Sequence, residues 1–158
     1  MDPAFEPLGR SIGRAHKLVR AWGDRALAPL DASVTDFILL FHIQNAAPPG
    51  LSQTEIARFS DMGGPALVRH LDRLERDGIV LRTRDEIDRR IMRVTLTPAG
   101  SARLDEIGTV IAACDAQMRA VLTAEEQATL AVALDKLFAF ARSELLGDPT
   151  ALIPGGNA

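Results

Sequence analysis

Apolar residues recur along this chain with two different periods, and the points where the period changes mark out its elements. From residue 8 to residue 28, Leu8, Ile12, Ala15, Leu18, Trp22 and Ala26 stand three or four apart, with Arg10, Arg14, Lys17 and Arg20 mostly off that stripe. This is the spacing of an amphipathic helix. Pro29 ends it, and Ser33 followed by Asp36 predicts a second helix through Phe37, Leu40, Phe41 and Ile43. The loop Ala46-Ala47-Pro48-Pro49-Gly50 closes that helix.

Ser52 and Glu55 form a capping box, and Leu51 with Ile56 occupies the flanking positions of a hydrophobic staple, so a short helix begins here and ends near Phe59. After the turn at residues 60–63, Gly64 is placed to cap a further helix with Pro65 at its first position, where a missing N–H costs nothing. Gly78 supplies its C-terminal stop. Val68, Leu71 and Leu74, with Leu67 beside them, are expected on its buried side. Ala66, Arg69, His70 and Arg73 share another stripe. Such a charged stripe is commonly just a solvated face, and the neighbouring elements decide otherwise.

The period then switches to two. Residues 79–84 and 91–96 read as strands, the second alternating Met92, Val94 and Leu96 with Ile91, Arg93 and Thr95. Between them lies a six-residue charged loop, Asp85 to Arg90. Thr97 caps the next helix, with Pro98 at its first position, and Leu104, Ile107, Ile111, Cys114, Met118 and Val121 form a seam along it. A last capping box, Thr123 and Glu126, opens a final helix bearing Leu130, Leu134, Leu137, Ala141 and Leu145 on one side. Residues 147–158 read as a flexible tail.

Composition narrows the class of protein. At 158 residues, 47% hydrophobic and 25% charged, the chain reads as one globular domain. A single cysteine, Cys114, precludes an intramolecular disulfide and favours a cytoplasmic location. Asp2, Glu6 and two prolines stand where a secretory signal would need basic and then apolar residues, and no apolar run reaches membrane-spanning length. The net charge of −3 is uneven: between Arg58 and Arg93, nine arginines face seven acids, a local balance of +2 against −5 elsewhere. No phosphate-binding Gly loop, nucleophile elbow or metalloprotease helix is present, so an enzyme is not expected, and no cofactor is implied.

The order of elements predicts a mainly α fold with a small β-hairpin. Two short helices joined by a tight turn and followed by a hairpin form a winged helix-turn-helix, whose second helix enters the DNA major groove. At this point the chain resembles the MarR family of bacterial transcriptional regulators over about residues 8–146. The likeness is carried by Leu71-Asp72-Arg73-Leu74-Glu75-Arg76-Asp77-Gly78-Ile79-Val80, by Asp88-Arg89-Arg90 and by Val94-Thr95-Leu96-Thr97-Pro98-Ala99-Gly100. It implies long dimerisation helices at residues 8–30 and 98–146, a DNA-binding lobe at residues 33–97, and a homodimer that binds a roughly palindromic operator on double-stranded DNA and usually represses.

The resemblance also implies site residues. Arg90, on the wing, would enter the minor groove, where a narrow A·T stretch attracts guanidinium. Asp88 would hold an arginine in place rather than touch DNA. Arg84, Arg89 and Arg93 are open between phosphate contact and solvation. On the recognition helix, Arg69 and Arg73 can pair with guanine, His70 with an acceptor or a phosphate, and Ala66 with a thymine methyl. Where the family tends to place Ser or Thr near the start of this helix, the chain has Gly64-Pro65-Ala66, so Ser52, Gln53 and Thr54 are candidates for phosphate contact instead.

Family members often respond to a small anionic aromatic compound, for which His16, Arg20, Trp22 and His42 are candidates here, although the tryptophan can equally be core and the histidines packing or surface residues. Cys114 offers a redox-responsive alternative, but its place on an apolar seam favours an inert thiol. The three histidines and the cysteine lack metal-ligand spacing. A winged-helix interaction module without DNA binding is the remaining alternative, kept open by the acidic net charge.

Overall fold

The computed structural model describes residues 7–60 and 62–146, so the expected tail at 147–158 lies outside the described residues. The elements run α1 (Leu8–Leu27), a 3-10 turn (Ala28–Leu30), α2 (Val34–Gln44), β1 (Leu51–Ser52), α3 (Gln53–Ala57), α4 (Gly64–Arg76), β2 (Val80–Arg84), β3 (Met92–Leu96), α5 (Pro98–Ala120) and α6 (Ala124–Leu146). Two compact units divide within α5, Met1–Ile111 and Ala112–Ala158.

Helix starts follow the caps. Ser33, Ser52 and Thr123 each accept a hydrogen bond from the backbone N–H three residues on, while Asp36, Glu55 and Glu126 accept one from the capping residue's own N–H. Two orphan donors are satisfied at each end, which fixes the frame of the helix. One boundary differs from expectation: Gly63, not Gly64, is the cap of α4, and Gly64 with Pro65 forms its first helical residues. Gly78 ends the helix segment in the left-handed region at φ +71°, open to glycine without steric cost.

The sheet has one strand more than the expected hairpin. β2 and β3 pair antiparallel from Val80 opposite Leu96 to Arg84 opposite Met92, and β1 adds to the other edge of β3, with Leu51 opposite Val94 and Ser52 opposite Arg93. A two-residue strand beside a capping box carries no period for sequence reading to detect. Its effect is to join the start of α3 to the wing.

The core of the first unit is Leu27, Leu39, Leu40, Ile43, Ile56, Leu67, Leu71, Leu74, Val80, Val94, Leu104 and Ile107. It draws on the end of α1, on α2, α3, α4 and α5 and on both long strands, so the helix-turn-helix and the wing share one packed interior. Val68, expected on the buried side of α4, is instead 40% exposed, and Phe41 of α2 is 43% exposed. On α1 only Gly23 and Leu27 are buried, leaving Leu8, Ile12 and Leu18 open. In the second unit Cys114 is buried, whereas Leu130, Leu134, Phe138, Phe140 and Leu145 of α6 are exposed.

Candidate nucleic-acid interface

Helix α4 presents three kinds of surface. Leu67, Leu71 and Leu74 are buried; Ala66, His70 and Arg73 lie half-buried along one edge; Pro65, Val68, Arg69 and Arg76 are exposed. The edge residues are engaged. His70 Nε2 stands 3.0 Å from Asp36 Oδ1, and Arg73 Nη2 donates to the same oxygen at 2.5 Å. Asp36 is 4% exposed and also accepts from the Ser33 N–H and hydroxyl. Burial pushes its pKa up, but the bonds from His70 and Ser33 and the charge of Arg73 outweigh that and hold the carboxyl well below the usual range. His70 and Arg73 therefore fasten the recognition helix to α2 in this structure, in place of the free base-reading groups that their stripe suggested. Arg69 is exposed and makes no hydrogen bond or ion pair to any described residue.

Two acids of α4 are bridged from the wing. Arg82 on β2 donates from Nε to Glu75 Oε2 at 2.8 Å and from Nη2 to Asp72. Its side chain is only 13% exposed. Burial lowers the Arg82 pKa, yet Glu75 and Asp72 raise it further, so the guanidinium stays charged. One arginine thus bridges two carboxylates of the helix, offsets one of their two charges and fixes the wing against it.

The wing loop, residues 85–91, is braced from inside. Asp85 is 8% exposed; its Oδ1 accepts the N–H groups of Ile87 and Asp88, both at 2.9 Å, and its Oδ2 accepts Arg93 Nε at 2.7 Å. The Asp88 N–H, the Arg93 guanidinium and the Ile87 N–H together pull the Asp85 carboxyl down to about 2. Arg93 also donates to Glu55 Oε2 at 3.1 Å and to the Gly50 carbonyl at 3.3 Å. Of the two roles left open for Arg93, phosphate contact or solvation, the structure supports neither: it ties the wing to the start of α3.

Beyond this brace stands Arg90, with a side chain 92% exposed. Asp88 Oδ1 accepts the Arg90 backbone N–H at 3.0 Å and Nε at 3.1 Å, and Oδ2 accepts Nη2 at 3.2 Å. An exposed pair of this kind adds little stability. Its geometry sets the direction of the guanidinium. Arg84 and Arg89 are exposed without a partner among the described residues, and Ile87 at the tip is 98% exposed.

Ser52, Gln53 and Thr54 line one depression together with Arg90, Ile91 and Met92, about 350 Å³ in volume. The start of α3 and the wing arginine therefore face a common space. Ser52 Oγ accepts the Glu55 N–H as cap, which leaves its O–H available to donate.

Of the four effector candidates, His16, Arg20 and Trp22 lie on α1 and His42 on α2. His16 is exposed, Trp22 is half-buried, and Arg20 donates to Thr35 Oγ1. His42 stacks on Phe59 with ring centroids 4.0 Å apart, and burial lowers its pKa. A cavity of about 200 Å³ in the first unit is lined by Asp31, Asp36, Leu40, Arg73, Asp77 and Arg103 among others, and by none of the four. Among the described residues, no group of three or more His, Cys, Asp or Glu side chains is placed to hold a metal ion, and no single helix is long and apolar enough to cross a membrane.

A helix held against α2, a wing held against that helix, and arginines left outside both define a winged helix-turn-helix protein. Comparison with known proteins gives the family. A model described as the MarR family matches residues 30–91. Wild-type MarR from E. coli is 30% identical, with a TM-score of 0.75, over 84% of this chain and 98% of that one. A mutant of E. coli MarR complexed with operator DNA is 31% identical at a TM-score of 0.73, covering 83% and 93%. The Mycobacterium tuberculosis MarR family protein Rv2887, in complex with salicylic acid, is 32% identical at 0.70, covering 85% and 98%. The chain belongs to the MarR family and is a winged-helix transcriptional regulator.

Asp36, Arg82 and Asp85 position other groups of the site, a role that the sequence pattern alone does not give them. A signal for the first was present: His70 and Arg73 each adjoin the Leu67, Leu71, Leu74 stripe, where a charged side chain needs a partner.

Proposed function

We propose that this regulator binds a pseudo-palindromic operator as a homodimer, represses from it, and is released by a small aromatic or anionic effector. The observation that carries the DNA-binding reading is the shared depression of Ser52, Gln53, Thr54 and Arg90, and with it goes an Arg69 that is exposed and has no partner among the described residues. Donors at the start of α3 suit phosphates, Arg69 suits guanine O6 and N7, and Arg90 suits the narrow minor groove. Arg84 and Arg89 add cations along the wing. That an E. coli relative is complexed with operator DNA supports DNA as the partner.

The homodimer reading rests on exposed apolar side chains: Leu8, Ile12 and Leu18 on α1 and, separately, Leu130, Leu134, Phe138, Phe140 and Leu145 on α6. Open faces of that kind are covered in an assembly. The effector reading is supported by the salicylic acid complex of the M. tuberculosis relative. Its site here is left to His16, Arg20, Trp22 and His42 or to the cavity beside Arg73.

Titration against the DNA upstream of its own coding sequence, at two salt concentrations, tests the function. A regulator binds that fragment with affinity falling steeply as salt rises, because each neutralised phosphate releases counterions. Weak binding indifferent to sequence supports the protein-interaction module instead. Adding salicylate-like acids to the complex tests the effector, and a set in which none weakens it removes that part.

A further inference from the structure

We propose that Val68 is a specificity-determining residue that covers the C5-methyl group of a thymine in the major groove, beside the base contacted by Arg69. The inference rests on the operator-binding reading and concerns one side chain within it. Helix α4 already anchors itself through Leu67, Leu71 and Leu74, all no more than 3% exposed. Val68 lies off that stripe at 40% exposure, between Pro65 and Asp72 on the outer face and next to Arg69. A β-branched residue there loses side-chain freedom in a helix without joining the core.

The outer face is chemically sparse. Asp72 is engaged by Arg82, which turns its carboxylate toward the wing and offsets part of its charge. Ala66 sits at the half-buried edge, and His70 and Arg73 are held by Asp36. That leaves Arg69 and, two turns further on, Arg76 as the exposed cations of α4, and Val68 as the branched apolar group beside Arg69. A valine offers no donor or acceptor to phosphates or to polar base edges. The thymine methyl is the apolar group that the major groove displays, and it distinguishes an A·T pair by position as well as by type. Adjacent positions on one helix reach neighbouring base pairs, so the thymine belongs within a base pair or two of the guanine read by Arg69.

Replacing thymine by uracil deletes that methyl and no hydrogen-bonding group, which makes the test selective. Each thymine of an operator half-site is changed to uracil in turn, and affinity is measured for the wild type, Val68→Ala and Val68→Thr. The wild type loses roughly fourfold at one thymine per half-site, the loss expected for one buried methyl-sized group. Val68→Ala, which loses the contact in both half-sites of the homodimer, binds the unmodified operator roughly 16-fold more weakly and loses nothing further with uracil there, while Val68→Thr, which keeps one methyl, retains part of the discrimination. Equal uracil effects in the wild type and Val68→Ala at every position overturn the assignment while leaving operator binding intact. Absence of salt-dependent operator binding by the wild type overturns both readings.

Discussion

His70 Nε2 and Asp36 Oδ1 meet at 3.0 Å across a sequence separation of 34 residues, and this contact sets the recognition helix on α2. Arg73 reaches the same oxygen, so one buried carboxylate orients two side chains of α4. Asp36→Asn keeps the shape but removes the charge, leaving Arg73 half-buried without its counterion. Loss of about 2 to 3 kcal/mol of stability is expected, measured by urea denaturation. Operator affinity should fall as well, since the helix carrying Arg69 loses its fixed orientation.

The same carboxylate gives a pH signature whose sign is fixed. The Asp36 pKa is lower folded than its ordinary 3.8, so its contribution is complete above 3.8 and is lost as pH falls below that toward the folded value. The stability gap between wild type and Asp36→Asn should stay constant from neutral pH to about pH 5 and close in more acid solution. His42 acts in another window: burial lowers its pKa from 6.5, so the unfolded chain binds the proton first and stability declines as pH falls through that range. That decline is common to both proteins and cancels in the difference. Denaturation curves at a series of pH values check both statements.

On the wing, Arg90→Ala should leave the melting temperature unchanged and weaken operator binding, with the salt dependence shallower by about one phosphate equivalent if the guanidinium neutralises backbone charge. Asp88→Ala is the more informative variant. Simple electrostatics predicts that removing an acid near DNA strengthens binding. The two bonds that the Arg90 guanidinium donates to Asp88 predict weaker binding, because without them the guanidinium loses its direction. We expect a modest loss, read by fluorescence anisotropy with a labelled operator.

Much of this architecture is legible in the sequence because it is local. Ser33 with Asp36, Ser52 with Glu55 and Thr123 with Glu126 fix three helix starts through contacts only three residues apart. The switch from period three or four to period two locates the hairpin, and Asp88 two residues before Arg90 reads as a positioning pair. What escapes is set by contacts far apart in the chain. Arg93 looks like one more basic wing residue until Glu55 and the Gly50 carbonyl arrive beside it, 38 and 43 residues away. Asp36 looks like a capping residue alone until α4 packs on it. Val68 is apolar and adjoins the buried stripe, so hydrophobicity assigns it inside; the actual rotation of the helix leaves it out.

Gly100 and Gly108 lie on the same helix and should respond to alanine with opposite signs. The first turn of α5 is drawn against the end of α4: Thr97 Oγ1 donates to the Gly78 carbonyl at 2.6 Å, and the Gly100 N–H donates back to Thr97 Oγ1 at 3.0 Å. A Cβ on Gly100 would stand 2.0 Å from the Ile79 carbonyl oxygen and 3.1 Å from its carbon. Because the obstacle is backbone, α5 must shift away from the start of β2 to make room, so Gly100→Ala should cost about 2 to 3 kcal/mol or more. At Gly108 a Cβ meets nothing within 4 Å, and alanine there gains helix propensity. Gly108→Ala should therefore stabilise by about 0.5 to 1 kcal/mol. Thermal denaturation of the two variants beside the wild type decides it, and equal effects would show that close approach to Ile79 does not govern position 100.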